Sequence, residues 1–184
     1  MAAVKSNMMP LGAEALDFEL IDVVSSEYYS LESLQGEYGL LIMFICAHCP
    51  YVKNIEEEIA AVAKQYANSK IGFAAISSND ANDYPEDSPE GLKKQAESLE
   101  FNFPYLYDET QAVAKAYQAA CTPEFYLFDE DLKLIYRGRF DASTPGNPEP
   151  VTGDSLIEAI ERHLEDEPPV DPQHPSIGCS IKWK

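Results

Sequence analysis

Two stretches of the chain are almost continuously apolar, and they indicate buried β-strands. Residues 39–45 read Gly-Leu-Leu-Ile-Met-Phe-Ile, and residues 70–77 read Lys-Ile-Gly-Phe-Ala-Ala-Ile-Ser. Runs without polar alternation are typical of strands that are covered on both faces, as in a parallel sheet. Between them, apolar residues recur in steps of three and four, which predicts one amphipathic helix from Pro50 to about Tyr66. A proline suits the first helical turn because its missing N–H has no partner there.

The remaining periodicities continue the alternation of strands and helices. Polar tripeptides at 25–27 and 129–131 separate strand-like segments and predict two hairpins. The other predicted elements are a helical turn at 30–35, helices at 88–99, 109–117 and about 154–164, and a short strand at 103–107. Residues 1–15 show no periodicity and are expected to form an irregular arm. This order predicts an α/β protein with a mixed sheet and helices on both faces of its parallel part.

The C-terminal part of the chain has a different pattern. Seven of the 13 prolines lie between residues 145 and 175, so we expect 166–175 to be an extended connector. Four apolar residues then alternate with small or polar ones, which predicts a strand-like tail that packs on the body. These residues are Ile177, Cys179, Ile181 and Trp183. We therefore divide the chain into a domain at 1–165 and a connector with a docked tail at 166–184.

Composition and charge exclude several classes of partner. The chain has 13 basic and 32 acidic residues, a formal charge of −19, so nucleic acids and anionic membranes should be repelled. No run of about 18 apolar residues is present, and we expect no transmembrane helix. The N-terminal segment lacks the apolar core of a secretory signal, which favours a cytoplasmic location. The sequence leaves the oligomeric state open.

The chemistry-bearing residues cluster in one segment, Phe-Ile-Cys-Ala-His-Cys-Pro-Tyr-Val at 44–52. Cys49 directly precedes Pro50, so its sulfur should lie at a helix N-terminus, where the positive end of the helix dipole lowers the pKa of a thiol. His48, if protonated, would lower this pKa further. Cys46 lies three residues earlier, and this Cys-x-x-Cys spacing is compatible with a disulfide.

This segment resembles the thioredoxin superfamily, in the alkyl hydroperoxide reductase and thiol-specific antioxidant branch. It is most similar to peroxiredoxin-like thioredoxin family proteins with a Cys-x-His-Cys-Pro-Tyr-Val motif, and the resemblance extends over nearly the whole chain. The other segments that carry it lie at 77–80, 84–89, 103–106, 121–123, 136–139, 145–147 and 175–183. The resemblance implies a thioredoxin-like fold: a mixed sheet flanked by helices, with an N-terminal hairpin and an extended C-terminal tail.

The resemblance also implies the roles of individual residues. The attacking cysteine of thioredoxins follows an aromatic residue of its strand by five positions, and Phe44 and Cys49 have this spacing. Cys49 therefore corresponds to the attacking, or peroxidatic, cysteine. Val52 stands where thioredoxin has its second cysteine, so another thiol must resolve the intermediate. The candidates are Cys46, our first choice, then Cys121, Cys179 or a thiol of another molecule.

Further positions bear on the reaction type. Thr122-Pro123 resembles the cis-proline loop that faces the attacking cysteine, so we expect both residues at the site. Peroxiredoxins have a threonine three residues before the peroxidatic cysteine, and Cys46 stands there instead. Their supporting arginine has only weak counterparts in Arg137 and Arg139. Thiol–disulfide exchange, which needs mainly a low-pKa thiol, access and a partner thiol, therefore fits better than efficient peroxide reduction.

The predicted function is thiol–disulfide oxidoreduction with Cys49 as the nucleophile, tuned by His48 and Pro50. No bound cofactor is needed, because electrons would come from a protein or low-molecular-weight dithiol. Three alternatives stay open: a thiol-dependent peroxidase, a metal protein, and a thioredoxin-fold binding module without activity. In the metal-protein hypothesis, the ligands for zinc or copper(I) are Cys46, His48, Cys49 and either Cys179 or His174.

Overall fold

A seven-stranded mixed sheet forms the centre of the computed structural model, which describes residues 3–184. The strands are β1 (Ala3–Lys5), β2 (Glu19–Asp22), β3 (Tyr28–Ser30), β4 (Leu40–Phe44), β5 (Gly72–Ser77), β6 (Tyr105–Tyr107), β7 (Cys121–Thr122), β8 (Glu124–Phe128), β9 (Leu134–Gly138) and β10 (Ile177–Ser180). The helices are α1 (Leu31–Leu34), α2 (Pro50–Lys53), α3 (Glu56–Gln65), α4 (Pro89–Ser98), α5 (Ala112–Ala116) and α6 (Asp154–Leu164), with a 3₁₀ turn at Pro85–Asp87.

The order of strands in the main sheet is β3-β2-β6-β5-β4-β8-β9. Strands β4, β5 and β6 are parallel, whereas the pairs β2–β3, β2–β6, β4–β8 and β8–β9 are antiparallel. The predicted α/β class, the mixed sheet and both hairpins are therefore confirmed.

Strand β4 lies between two apolar cores. Leu41 and Met43 face one core, Ile42 and Phe44 face the other, and none of the four is more than 1% exposed. This arrangement explains why the strand has no polar alternation. Cys46 and Cys49 belong to the first core.

The cysteine motif lies at the end of the sheet where the two neighbouring strands β4 and β5 finish. Strands β4 and β5 are parallel, so their carboxyl ends lie at the same end of the sheet. After β4 it enters the cysteine segment, and after β5 it enters the polar loop 78–87. That loop begins with buried Ser78 and Asn79 and ends at buried Asp87.

Strands β1 and β10, at the two ends of the described chain, form a second, smaller sheet with β7 in the order β1-β10-β7. The predicted irregular arm was wrong for Ala3–Lys5, because these residues pair with β10; residues 1 and 2 lie outside the described chain. The tail strand is present, but its predicted apolar face was only half right. Cys179 and Ile181 are buried, whereas Ile177 and Trp183 are 41% and 44% exposed, since only the middle of the tail faces the body. The division at residue 165 stays a prediction.

The predicted helix after Pro50 is two helices. Ile55 has φ −122° and ψ −3°, outside the helical range, and separates α2 from α3. The short α2 begins directly after Cys49, and α3 packs along the core. None of the helices within residues 3–184 has the length and apolar character needed to cross a bilayer.

Candidate active site

Cys49 is the N-cap residue of α2, as its position before Pro50 suggested. Its backbone is extended (φ −71°, ψ 123°), and its carbonyl accepts the first helical hydrogen bonds from Val52 and Lys53 N–H, both at 3.0 Å. The side chain is completely buried. The sulfur therefore lies at a helix N-terminus but out of contact with solvent.

Hydrogen-bond donors converge on the Cys49 sulfur and lower its pKa from 9.0 to about 5. The largest contribution comes from the thiol of Cys46, burial opposes it, and the thiol of Cys179 follows. The backbone N–H groups of Val52 and Cys179 lower this pKa further. Donors to the charged form stabilise the thiolate, so Cys49 is ionised at neutral pH.

The two thiols that face Cys49 have the opposite property. Burial, together with the hydrogen bond to Cys49, raises the pKa of Cys46 well above 9.0 and that of Cys179 to about 12. Both remain protonated and act as donors while Cys49 carries the charge. Of the three thiols, Cys49 is therefore the one whose charged form is favoured.

Thr122 lies directly against both cysteines, and its peptide bond to Pro123 is cis. In its thiol form, Cys49 donates to the Thr122 carbonyl at 3.3 Å. The Thr122 hydroxyl lies 3.3 Å from Cys46 Sγ. Both residues expected from the resemblance thus contact the cysteine pair or border it.

Asp87 holds the loop between the two cysteines of the motif. Its Oδ1 accepts from the N–H groups of Ala47 and His48 at 2.8 and 3.0 Å. Its Oδ2 accepts from Asn79 at 2.8 Å and lies 2.5 Å from His48 Nδ1. Burial alone would raise the pKa of Asp87, but the hydrogen bonds from His48 and Asn79 lower it, so the carboxylate is charged.

His48 faces this carboxylate and the thiol of Cys46. Its Nδ1 lies 3.9 Å from Cys46 Sγ, and its ring packs on that of Tyr84 with 4.6 Å between centroids. The groups that lower the pKa of Cys49 are thiols and backbone N–H groups rather than His48. His48 thus lies next to Cys46, and its tuning of the Cys49 thiol stays a prediction.

Asp87 and Asn79 are site residues that the sequence interpretation did not single out. The available signal was topological: a polar loop follows one of two buried strands, and the cysteine motif follows the other. The carboxyl ends of neighbouring parallel strands lie at the same end of a sheet. Polar residues after β5 were therefore candidates to contact residues after β4.

The other residues that the sequence analysis named have partners other than Cys49. Cys121 Sγ faces acceptors, the Pro123 carbonyl at 3.8 Å and Glu124 Oε2 at 4.0 Å. Arg137 pairs in register with Tyr126, whose side chain belongs to the core on the opposite face of the sheet. Arg139 Nε donates to Ser155 Oγ at 3.2 Å. Neither arginine contributes to the lowered pKa of Cys49.

One group of potential metal ligands includes part of the motif. The ligand atoms of Cys46, His48 and Asp87 lie within 4.8 Å of one another. However, His48 Nδ1 and Asp87 Oδ2 are 2.5 Å apart, whereas two ligands about 2.0–2.2 Å from one tetrahedral zinc would be roughly 3.3 Å apart. The pair has the geometry of a hydrogen bond, so these residues fit a metal poorly as they stand. The predicted tail ligand His174 instead accepts from Arg139 N–H through its carbonyl, at 3.0 Å.

Comparison with known proteins gives the family. The AhpC/TSA family model matches residues 11–137, which include the cysteine motif, Asp87 and the cis-proline segment. The chain belongs to the AhpC/TSA family. The comparison with curated proteins found no match.

Solved structures of other proteins share this fold. A conserved uncharacterized protein from Geobacillus kaustophilus is 54% identical, with a TM-score of 0.98, over 100% of this chain and 97% of the other. A hypothetical protein from Sinorhizobium meliloti is 41% identical, with a TM-score of 0.95, over 98% of both chains. The thioredoxin domain of a thiol-disulfide oxidoreductase from Bacteroides vulgatus is 18% identical, with a TM-score of 0.66, over 85% and 99%. The last likeness shows the thioredoxin-like fold, and membership of the AhpC/TSA family supports a thiol-redox function.

Proposed function

We propose that this AhpC/TSA-family protein is a thiol–disulfide oxidoreductase in which Cys49 is the nucleophile and Cys46 the resolving thiol. The observation that carries the proposal is the Cys49 sulfur at the N-terminus of α2, with donors that lower its pKa to about 5. A buried cysteine without such donors would have a raised pKa and would be inert.

The reaction begins when the Cys49 thiolate attacks one sulfur of a substrate disulfide. A bond forms between Cys49 Sγ and that sulfur, the substrate S–S bond breaks, and the second substrate sulfur leaves as a thiolate that takes a proton. Cys46 then loses its proton and attacks Cys49 Sγ, which releases the first substrate sulfur as a thiol. The substrate disulfide is reduced, and the protein holds a Cys46–Cys49 disulfide.

Two features support Cys46 in the resolving role. The two sulfurs lie against the same residue, because Cys49 Sγ is 3.3 Å from the Thr122 carbonyl and Cys46 Sγ is 3.3 Å from the Thr122 hydroxyl. His48 Nδ1, which donates to Asp87, lies 3.9 Å from Cys46 Sγ, and the leaving substrate sulfur takes the proton that Cys46 loses. Cys179 also contacts Cys49 and is the second candidate, whereas Cys121 faces Glu124 and the Pro123 carbonyl.

An external dithiol, either protein or low-molecular-weight, would reduce the Cys46–Cys49 disulfide and close the cycle, so no bound cofactor takes part. A reducing compartment supplies such dithiols, and the proposal therefore includes a cytoplasmic location.

Thiol-dependent peroxide reduction is a second candidate because the AhpC/TSA family match supports it. The Cys49 thiolate would attack a peroxide oxygen and become a sulfenic acid, with water or an alcohol as the product; Cys46 would then form the disulfide and release water. The Thr122 hydroxyl is engaged with Cys46 Sγ at 3.3 Å. This arrangement favours disulfide substrates.

The test compares both substrates under the same conditions. We expect the reduced protein to catalyse dithiol-dependent reduction of a protein disulfide, and to lose this activity in Cys49→Ser but not in Cys121→Ser. Faster turnover of hydrogen peroxide than of the disulfide would assign the protein to the peroxidases. If both activities are absent and elemental analysis finds zinc or copper in the protein, the result would support the metal-protein hypothesis instead.

A further inference from the structure

A buried carboxyl group spans the turn that contains the cis proline. Glu124 directly follows Pro123 and has no exposed surface. Its Oε2 accepts from the backbone N–H of Ala120 at 3.0 Å and from that of Cys121 at 3.5 Å. The side chain therefore reaches back across the turn and binds the two residues that precede Thr122. The proposed reaction gives this side chain no role.

The same side chain is anchored in the main sheet. Glu124 is the first residue of β8 and pairs in register with Phe44, the last residue of β4. Its Oε1 accepts from the Tyr126 hydroxyl at 2.8 Å, and the Tyr126 side chain packs in the core. Because the cysteine motif follows β4, Glu124 connects the segment before the cis proline to the strand that leads into the motif.

Backbone pairing supports this segment on its other side. Thr122 pairs with Cys179 of β10, and the Ala120 carbonyl accepts from Ile181 N–H at 3.1 Å. The N–H groups of Ala120 and Cys121 point the other way, to Glu124. A buried N–H group that loses its acceptor is costly, so removal of the Glu124 side chain should loosen the segment next to Thr122.

Thr122 transmits this support to the two cysteines of the motif. Its carbonyl lies 3.3 Å from Cys49 Sγ, and its hydroxyl lies 3.3 Å from Cys46 Sγ. Burial is the largest cause of the raised pKa of Cys46, and the Thr122 hydroxyl opposes it. A hydroxyl that donates to a sulfur stabilises the thiolate. Its position therefore matters when Cys46 loses its proton and attacks.

We propose that Glu124 is a positioning residue for the resolving step, which holds Thr122 so that its hydroxyl donates to Cys46 as this thiol becomes a thiolate. This inference rests on the proposed function and deepens it. In the resolving step a bond forms between Cys46 Sγ and Cys49 Sγ, and the bond between Cys49 Sγ and the substrate sulfur breaks. The leaving sulfur takes the proton of Cys46. The first attack, by Cys49, does not use the Thr122 hydroxyl.

The test separates the two steps with 2,2′-dithiodipyridine and the reduced protein. One thiopyridone is released when Cys49 attacks the reagent, and a second when Cys46 resolves the mixed disulfide. Glu124→Leu removes the acceptor and should slow the second release at least about tenfold, while the first stays within about threefold of wild type. A side chain that merely supported the fold would not divide its effect in this way.

Two further variants control for charge and for the loss of a buried contact. Glu124→Gln keeps a carbonyl acceptor for Ala120 and should hold the second release within about threefold of wild type. Glu161→Leu is the matched control, because Glu161 also accepts from a tyrosine hydroxyl at 2.8 Å, that of Tyr66. Both releases should stay within about twofold of wild type in this control.

A double-mutant cycle tests whether Glu124 acts through Thr122. Thr122→Val removes the hydroxyl with little change of shape and should slow the second release by a similar factor. If both residues act through one contact, the double variant should be no slower than the slower single variant. Effects that multiply would overturn the inference. If Glu124→Leu does not fold, Tyr126→Phe takes its place: loss of a donor to Glu124 should slow the second release about threefold, and an unchanged second release would overturn the inference.

The outcomes separate this inference from the proposed function. If wild type releases two thiopyridones and Glu124→Leu slows both releases equally or neither, the positioning role fails and the oxidoreductase proposal stands. If wild type releases none from Cys49, or stops after the first, the proposed roles of Cys49 and Cys46 fail as well.

Discussion

Two buried cysteines lie beside the same cis-proline segment, and their pKa values move in opposite directions. Cys49 Sγ faces the Thr122 carbonyl at 3.3 Å, but the thiol of Cys46 and further donors outweigh this acceptor and burial, and its pKa falls to about 5. Cys121 Sγ faces the Pro123 carbonyl and Glu124, and burial followed by the Glu124 charge raises its pKa far above the ordinary value. Burial by itself therefore does not decide the reactivity of a cysteine in this site. The balance of hydrogen-bond donors against acceptors and negative charges around the sulfur decides it.

The largest expected effect is the loss of activity when the nucleophile is removed. Cys49→Ser should lower disulfide reductase activity by at least about 10³-fold, because the thiolate forms the covalent intermediate. Cys121→Ser should keep activity within about threefold of wild type. Steady-state kinetics on both variants make the comparison, and an equal loss in Cys121→Ser would show that the contrast between the two cysteines is not functional.

The next effect concerns the strongest donor to Cys49. Cys46→Ala removes a hydrogen bond to a charged group, worth about 1.5–3 kcal/mol, so the pKa of Cys49 should rise by about 1–2 units. Thiol reactivity would then fall at mildly acidic pH, where the wild-type Cys49 is still ionised. Titration of the ultraviolet thiolate absorbance measures this shift.

Cys179→Ala is the matched control for that titration. Cys179 also donates to the Cys49 sulfur but contributes less than Cys46, so its removal should raise the pKa of Cys49 by a smaller amount. A larger rise in Cys179→Ala than in Cys46→Ala would reverse the assignment of the principal donor.

A smaller effect is expected from the carboxylate that positions the cysteine loop. Asp87→Asn weakens charge-assisted hydrogen bonds from Ala47, His48 and Asn79 and should lower the free energy of unfolding by about 2 kcal/mol at neutral pH. The pKa of Asp87 is lowered in the folded protein, so its contribution is present above the unfolded-state pKa and is lost as the pH falls through the folded-state pKa. Urea unfolding at neutral and acidic pH should show the difference between variant and wild type shrinking in acid.

The control for this prediction is Glu86→Gln, next in the chain but exposed and paired only with exposed Lys53 at 3.3 Å. Its unfolding free energy should stay within about 0.5 kcal/mol of wild type. Equal destabilisation by the two substitutions would indicate a general charge effect rather than the loop contacts of Asp87.

The smallest expected effect lies on the Cys121 side. Glu124→Gln removes the charge that faces Cys121 and should lower the pKa of that thiol, yet Cys121 should stay unreactive because burial is the larger cause. Alkylation at neutral pH, followed by peptide mass analysis, should find Cys49 modified and Cys121 free. Rapid alkylation of Cys121 in this variant would show that Glu124, and not burial, controls it.

Local sequence features were sufficient to place Cys49 at the start of a helix. The buried run before the motif and the proline after Cys49 predict a strand, a turn and a helix start, and the structure puts Cys49 at the N-cap of α2. The sheet class and the hairpins follow from the same short-range periodicities. The break at Ile55 was missed because the apolar spacing continues across it without interruption.

Contacts between distant segments were not predictable from these patterns. The contact of Cys179 with Cys49 depends on how the tail pairs with β7, and the role of Asp87 depends on the loop after a neighbouring strand. The alternation in the tail correctly predicts a strand, but it does not say where the strand ends. For this reason Ile177 and Trp183 were wrongly placed on the buried face.

The central claim is that Cys49 is a redox nucleophile resolved by Cys46. Its most direct test is peptide mapping by mass spectrometry, without reductant, after one equivalent of a small disulfide oxidant is added to the fully reduced protein. The account predicts a Cys46–Cys49 disulfide, with Cys121 as a free thiol. Recovery of Cys49 as a free thiol, while the oxidant is consumed elsewhere or not at all, would contradict it.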